Sequence, residues 1–133
     1  MTTILLIEDD VECARMVGKL LKPLGFTVEH TTRGLTGLQL ARQLDVDLIL
    51  VDLNLPDLSG NVVILQLRTA IRCVGTPIVA FTAESAPKAK RIATALGCDG
   101  FLSKPIDPRT FPSQIDNFLN PAQLHSSTGD TNQ

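Results

Sequence analysis

Cysteine is scarce in this chain. The three present, Cys13, Cys73 and Cys98, are odd in number, widely spaced and form no CxxC pair. That pattern argues against a disulfide framework and against a cysteine zinc site, so the thiols read as buried or half-buried side chains. Long hydrophobic runs are missing as well, and no segment approaches the roughly 20 apolar residues of a membrane-spanning helix. The chain passes from MTT straight into ILLIEDD, with no basic region, long apolar stretch or small-residue cleavage site. No secretory signal is expected there, and the cytoplasm is the expected location. An excess of one charge is also absent: 12 basic and 14 acidic residues leave a net charge of −2. Such a balance gives no general attraction for nucleic acid, and DNA binding would need a partner domain. Finally, no GxGxxG or GxxxxGK[ST] follows a strand, which disfavours nucleotide binding.

What is present is one domain's worth of chain, 133 residues with 44% hydrophobic and 20% charged side chains, an ordinary globular composition. Residues 1–120 carry the periodicity. Thr3 to Ile7 is a short apolar run, followed by Cys13, Met16, Val17, Leu20, Leu21 and Leu24 at helical spacing, closed by Gly25. Phe26 to His30 alternates like an edge strand, and Leu35, Leu38 and Ala41 mark a weaker helix. Leu48 to Val51 is apolar throughout, as a central parallel strand covered on both faces would be. Val63, Leu67, Ala70 and Ile71 trace a third helix, and Ile78 to Phe81 a fourth strand. Ala89, Ile92, Ala93 and Leu96 give a helix ended by Gly97, and Phe101 with Leu102 a short fifth strand. Pro108 and Pro112 delay the last helix, with Thr110 as its N-cap and Phe111, Ile115, Phe118 and Leu119 as its apolar face. Residues 121–133 are polar, lack periodicity and read as a disordered tail.

Five alternations of strand and helix predict a doubly wound α/β fold, a parallel sheet with helices on both faces. Ligands in such folds sit beyond the carboxyl ends of the strands. The polar residues at those ends are Glu8, Asp9 and Asp10 after the first strand, Asp52 at the third, Thr82 at the fourth and Lys104 after the fifth. Three converging carboxylates raise one another's proton affinity unless a cation intervenes. Mg²⁺ suits the task, because it takes one or two protein carboxylates and shares its other positions with water and phosphate oxygens. With Lys104 and a divalent ion balancing Glu8, Asp9 and Asp52, a phosphoryl group can approach, and Asp52 becomes the candidate nucleophile.

The segments ILLIEDD, DLILVDLNLPDLSG, IVAFTAES and DGFLSKP, in this order, resemble the response-regulator receiver domain of two-component signalling over roughly Thr3 to Leu119. The resemblance implies a (βα)5 three-layer sandwich of flavodoxin-like strand order 2-1-3-4-5. It also implies an acidic pair at Glu8 and Asp9, a phosphoacceptor at Asp52, a switch hydroxyl at Thr82, an invariant lysine at Lys104 and a switch aromatic at Phe101. Mg²⁺ would be held by Glu8, Asp9, Asp52 and the main-chain carbonyl of Asn54, and Asn54 and Glu84 would tune the lifetime of the phosphate. A cis peptide is implied between Lys104 and Pro105. The implied phosphodonor is a histidine kinase, a histidine phosphotransfer protein or a small molecule such as acetyl phosphate. The implied output is a change on the surface of helix four, strand five and helix five toward a downstream partner protein, in a monomer or a phosphorylation-dependent homodimer.

Each residue has a plainer reading. Asp52 alone is common turn chemistry, Thr82 alone a strand-compatible residue, and Phe101 alone core filling. Asp10 reads as the start of helix one, where its charge suits the helix dipole. Asp57 and Ser59 read as loop residues before helix three, with Gly60 accommodating the turn. His30 and His125 read as neither phosphorelay nor metal-ligating groups, and Lys88, Lys90 and Arg91 as a solvated helix face. Two other functions compete. A haloacid-dehalogenase-type phosphatase would place a general-acid aspartate two residues after its nucleophile, where this chain has Asn54, an amide that cannot donate and recover a proton. A degenerate receiver acting only as an interaction module is disfavoured because none of the acceptor, acidic pair, threonine or lysine is missing.

Overall fold

The computed structural model describes residues 2–70 and 74–120. Five strands, β1 (Thr3–Ile7), β2 (Thr27–Thr31), β3 (Leu48–Asp52), β4 (Ile78–Thr82) and β5 (Gly100–Ser103), alternate with five helices. The helices are α1 (Val11–Leu21), α2 (Gly34–Gln43), α3 (Gly60–Thr69), α4 (Ala86–Leu96) and α5 (Phe111–Leu119). All strands are parallel, in the order β2-β1-β3-β4-β5. The expected doubly wound topology is therefore the one formed, with β2 and β5 at the edges.

Alternation along the strands divides the core in two. Leu5, Ile7, Ile49, Val51, Ile78 and Ala80 pack with α2, α3 and α4, whereas Ile4, Leu6, Leu48, Leu50, Val79 and Phe81 pack with α1 and α5. Every residue of β3 and β4 is buried, which is why both read as unbroken apolar runs. The same alternation gives Glu8, Asp52 and Lys104 the parity of the α1 and α5 side, and Thr82 and Phe101 that of the opposite side.

The helix ends follow local chemistry. Asp10 caps α1, its carboxylate accepting from the amides of Glu12 and Cys13. The α-helix stops at Leu21, and a 3-10 turn over Lys22–Leu24, with Pro23 in its first turn, carries the chain to Gly25 at φ 94°. Gly97 at φ 75° ends α4 in the left-handed region that suits glycine. α5 begins late, at Phe111 after Thr110, and is nine residues long. Thr110 is its N-cap by position, yet its hydroxyl makes no capping hydrogen bond.

Several expectations need correcting. β2 lies one residue later than expected, at Thr27–Thr31. α2 forms, but Leu35 is 57% exposed; its buried face includes Gly34 and Gly37, where a Cβ would strike Val63 and Ile7. Met16 and Leu24 also face solvent rather than the core. α3 ends at Thr69, with Ala70 as its C-cap. The expectations for Ile71 and Cys73 and for the tail 121–133 lie outside the described residues.

Candidate functional site

The carboxyl ends of β1, β3 and β5 bring Glu8, Asp52 and Lys104 together. Glu8 is fully buried and Asp52 is 2% exposed, while Asp9 turns out to solvent. One carboxylate oxygen from each of the three acids lies within 4.8 Å of the others. Lys104 Nζ stands 2.6 Å from Glu8 Oε1 and 3.4 Å from Asp52 Oδ2. Below it the Phe81 ring, whose centroid is 5.2 Å from the ammonium, forms a floor and stacks on Phe111.

This assembly is under-compensated. Glu8 Oε1 is buried and, although close to Lys104, has no hydrogen bond of adequate geometry among the described residues. Its Oε2 accepts from the Asp10 amide at 3.1 Å. Burial raises the proton affinity of Asp52, and contact with Glu8 raises it further, against the opposing effects of the Asn54 amide and Lys104. Asp9 is raised too, first by desolvation and then by its hydrogen bond and repulsion with Asp52. Burial alone would lower Lys104, but Glu8 and then Asp52 outweigh it and hold the ammonium above its ordinary value. Cys13, on the facing side of α1, is pushed up to about 12 by burial and by the Glu8 charge, which disfavours its thiolate.

The loops fix the surroundings. The Asn54 amide donates to Asp52 Oδ1 at 2.9 Å. Gly60 accommodates the turn by permitting close approach, since a Cβ there would lie 2.5 Å from the Asp52 carbonyl oxygen and from Leu53 Cα. Ser59 caps α3 through the Val62 amide. Thr82 is buried, and its hydroxyl accepts from the Glu84 amide at 3.1 Å. Glu84 itself pairs with Lys88 at 2.8 Å on the exposed face of α4, where Lys90 and Arg91 are also solvated. Phe101 is half-buried against the α2, α3 and α4 core, adjacent in register to Ala80 and not at the carboxylates. The Lys104–Pro105 peptide is cis. An open groove of about 470 Å³ runs beside the lysine, walled by Cys13, Met16, Pro105 and Ile106 among others.

Three contacts were not legible in the sequence. His30 Nε2 lies 2.7 Å from the Glu8 carbonyl and ties the edge strand to the acidic loop. Asp57, expected to serve its own loop, accepts from the amides of Gly34 and Leu35 at the start of α2. Arg68 joins α3 to Gly97 and Asp99 at the far end of the sheet. Each spans more than 20 residues of chain, and no short motif marks such partners.

The donor set fits a hard divalent cation. Three carboxylates supply oxygen ligands only, and the orphaned Glu8 oxygen is an acceptor in need of positive charge.

Comparison with known proteins gives a consistent result. A family model described as the response regulator receiver domain matches residues 4–116. The cell cycle transcriptional regulator CtrA of Caulobacter vibrioides is 37% identical over 125 residues, covering 94% of this chain and 53% of that protein. The probable transcriptional regulatory protein SilR of Salmonella typhimurium is 37% identical over 102 residues, covering 77% of this chain and 44% of its own length. The chain thus spans about half the length of these curated relatives. Among solved structures, the chemotaxis response regulator CheY4 of Vibrio cholerae superposes with a TM-score of 0.84 at 29% identity, over 90% of this chain and 99% of that one. The receiver domain of the sensor histidine kinase PA1611 of Pseudomonas aeruginosa, determined with a magnesium ion coordinated in its active site cleft, gives 0.77 at 25% identity, over 90% and 95%.

Proposed function

Because the chain belongs to the response regulator receiver domain family, a family of signalling domains, we propose that it accepts a phosphoryl group on Asp52 and relays it as a change of surface. The observation that carries this reading is the buried Asp52 carboxylate, set between Glu8, Asp9 and Lys104 at the switch point of a parallel sheet. The phosphodonor is a histidine kinase or histidine phosphotransfer protein, or a small acyl phosphate. An oxygen of Asp52 forms the new P–O bond while the P–N bond to the donor histidine breaks, and the imidazole leaves with the electron pair. Lys104, already held cationic by its two acidic neighbours, pairs with an oxygen of the transferred group. Glu8, Asp9, Asp52 and the Asn54 carbonyl are the residues that would hold Mg²⁺; when bound, the ion neutralises the carboxylates and the charge on the phosphoryl oxygens. The groove beside Lys104, apolar at Met16, Pro105 and Ile106, is where we place the donor protein.

Transmission starts at Thr82. Its hydroxyl, which accepts from the Glu84 amide, swings to donate its own proton to a phosphoryl oxygen, the space it leaves admits the Phe101 ring, and the face of α4, β5 and α5 changes shape toward a partner protein. The switch is a population shift, and full reversal of a two-state equilibrium takes about 5.5 kcal/mol of differential stabilisation. Asn54, beside the acceptor, and the Lys88-bound Glu84, beside Thr82, set how water reaches the acyl phosphate. The chain catalyses only its own phosphorylation and dephosphorylation, and works in the cytoplasm; among the described residues no helix is long and apolar enough to cross a membrane. Nucleic acid is contacted only through a further domain, as the relatives' names as transcriptional regulators allow.

Intact mass after incubation with acetyl phosphate and Mg²⁺ tests the reading. One phosphoryl increment is expected in the native chain and none in Asp52→Asn or with chelator. No increment, together with no NMR response to beryllofluoride, a stable phosphoryl mimic, would leave the interaction-module reading instead.

A further inference from the structure

The N-terminus of α2 is capped from outside its own segment. Arg33 has the extended backbone of an N-cap, φ −124° and ψ 142°, but its side chain makes no capping hydrogen bond. The orphan amides are taken instead by Asp57, 23 residues away: Oδ1 accepts from Gly34 at 2.8 Å and Oδ2 from Leu35 at 3.0 Å. Both carboxylate oxygens are thus committed to one helix end, in the geometry and charge that a helix N-terminus favours. The contact is close as well as polar, since a Cβ on Gly34 would fall 2.7 Å from Val63 and 3.3 Å from Leu58.

Asp57 lies on the short segment between β3 and α3. That segment is tied at its start by the Asn54 amide on Asp52 Oδ1 and closed by the Gly60 amide on the Leu53 carbonyl at 3.1 Å. Leu53, Leu55 and Leu58 pack it on the core, and Asp57 is its polar tie to α2. We infer that Asp57 is a positioning residue: by bolting the β3–α3 loop to α2 it fixes Asn54 beside Asp52, and so sets cation affinity and acceptor geometry while touching neither. This inference rests on the proposed role of Asn54 in holding Mg²⁺. The carboxyl of Asp57 is held below its ordinary range by the Leu35 and Gly34 amides, as such a brace requires.

A double substitution separates positioning from simple helix stability. Asp57→Ala removes both the cap and the anchor, and adding Arg33→Asp restores a cap to α2 from its own N-cap position without reattaching the loop. Each full-length protein is followed by NMR, first metal-free for amide exchange and then titrated with Mg²⁺ alone. Asp57→Ala is expected to lose protection at Leu35 and at the Asn54 amide and to bind Mg²⁺ about tenfold more weakly, the low end for supports outside the ligand sphere. The double variant should regain protection in α2 while Asn54 and the Mg²⁺ affinity stay impaired. Unchanged Asn54 protection and affinity in Asp57→Ala, or full recovery of both in the double variant, would overturn the inference. If Asp57→Ala fails to fold, Asp57→Asn, which keeps one acceptor oxygen, should show a smaller loss of both, and native behaviour there overturns the idea equally. A native chain that ignores Mg²⁺ would remove the metal reading of the site, and the metal-free Asn54 exchange would then decide on the brace alone.

Discussion

At the amino-terminal end of the sheet, Arg68 Nη2 donates to both the Asp99 carboxylate and the Gly97 carbonyl at 2.7 Å, and Asp99 also accepts from the Ile78 amide at 2.8 Å. At the carboxyl end, Lys104 serves two buried acids at once, a third acid lies within 4.8 Å, and Glu8 Oε1 has no directed hydrogen bond among the described residues. Both ends contain an ion pair of similar length, so the difference is not one of contact. The Arg68 end is half-exposed, all three guanidinium nitrogens donate, and Asp99 Oδ2 accepts from both Arg68 and the Ile78 amide, which is what a structural tie requires. The Lys104 end buries Glu8 and Asp52 and carries more negative charge than one ammonium can balance. A site meant only to hold the fold together would have replaced such a cluster with apolar side chains at little cost. The imbalance supports the proposed reading, in which a cation completes the cluster.

The comparison breaks most visibly at Lys104. Lys104→Met leaves Glu8 and Asp52 buried without a counter-charge, and we expect about 3 kcal/mol of destabilisation near neutral pH, measured by urea unfolding. Lowering the pH should return much of it, because the two carboxylates then protonate. Arg68→Ala is expected to cost only about 1 kcal/mol, between an exposed ion pair and a hydrogen bond to a charged group. It should leave phosphoryl uptake untouched.

A smaller effect sharpens the contrast through its sign. The folded-state proton affinity of Asp52 is raised, so its titration favours folding fully below 3.8 and ceases to do so as pH rises through the raised value. Asp57 is lowered, so its contribution is present above 3.8 and is lost as pH falls through the depressed value. Metal-free urea midpoints from about pH 3 to about pH 8 should therefore diverge. Relative to the native chain, Asp52→Asn gains as pH rises, whereas Asp57→Asn closes its deficit as pH falls below the ordinary carboxylate range.

The same two regions mark where the sequence was readable. Glu8, Asp52 and Lys104 each follow a short apolar run, so a strand's direction alone places them at one crevice. A parallel sheet with helices on both faces followed from five alternations of strand and helix, whereas the strand order came with the family resemblance. Arg68 with Asp99 and Asp57 with α2 left no such trace, because a lone charge on a helix or loop carries no record of a partner 31 or 23 residues away. On α2 Leu38 and Ala41 are buried as expected, and only Leu35 was misjudged, for a related reason. The helix's buried stripe includes Gly34 and Gly37, whose value is closeness to Val63 and Ile7, and hydrophobic periodicity cannot weigh an absent side chain. Gly60 likewise announced itself as glycine, while the backbone of Asp52 that explains it became visible only in three dimensions.

The most direct test is the thermal midpoint of metal-free protein titrated with Mg²⁺, run on the native chain, Arg68→Ala, and Asp9→Asn combined with Asp52→Asn. A ligand bound only by the folded state raises stability by about 2.7 kcal/mol at one hundred times its dissociation constant. The native chain and Arg68→Ala should rise in parallel, and the carboxylate double variant should stay flat. A native midpoint indifferent to Mg²⁺, or a rise that survives in the double variant, would contradict the claim that the buried acidic cluster is completed by a cation.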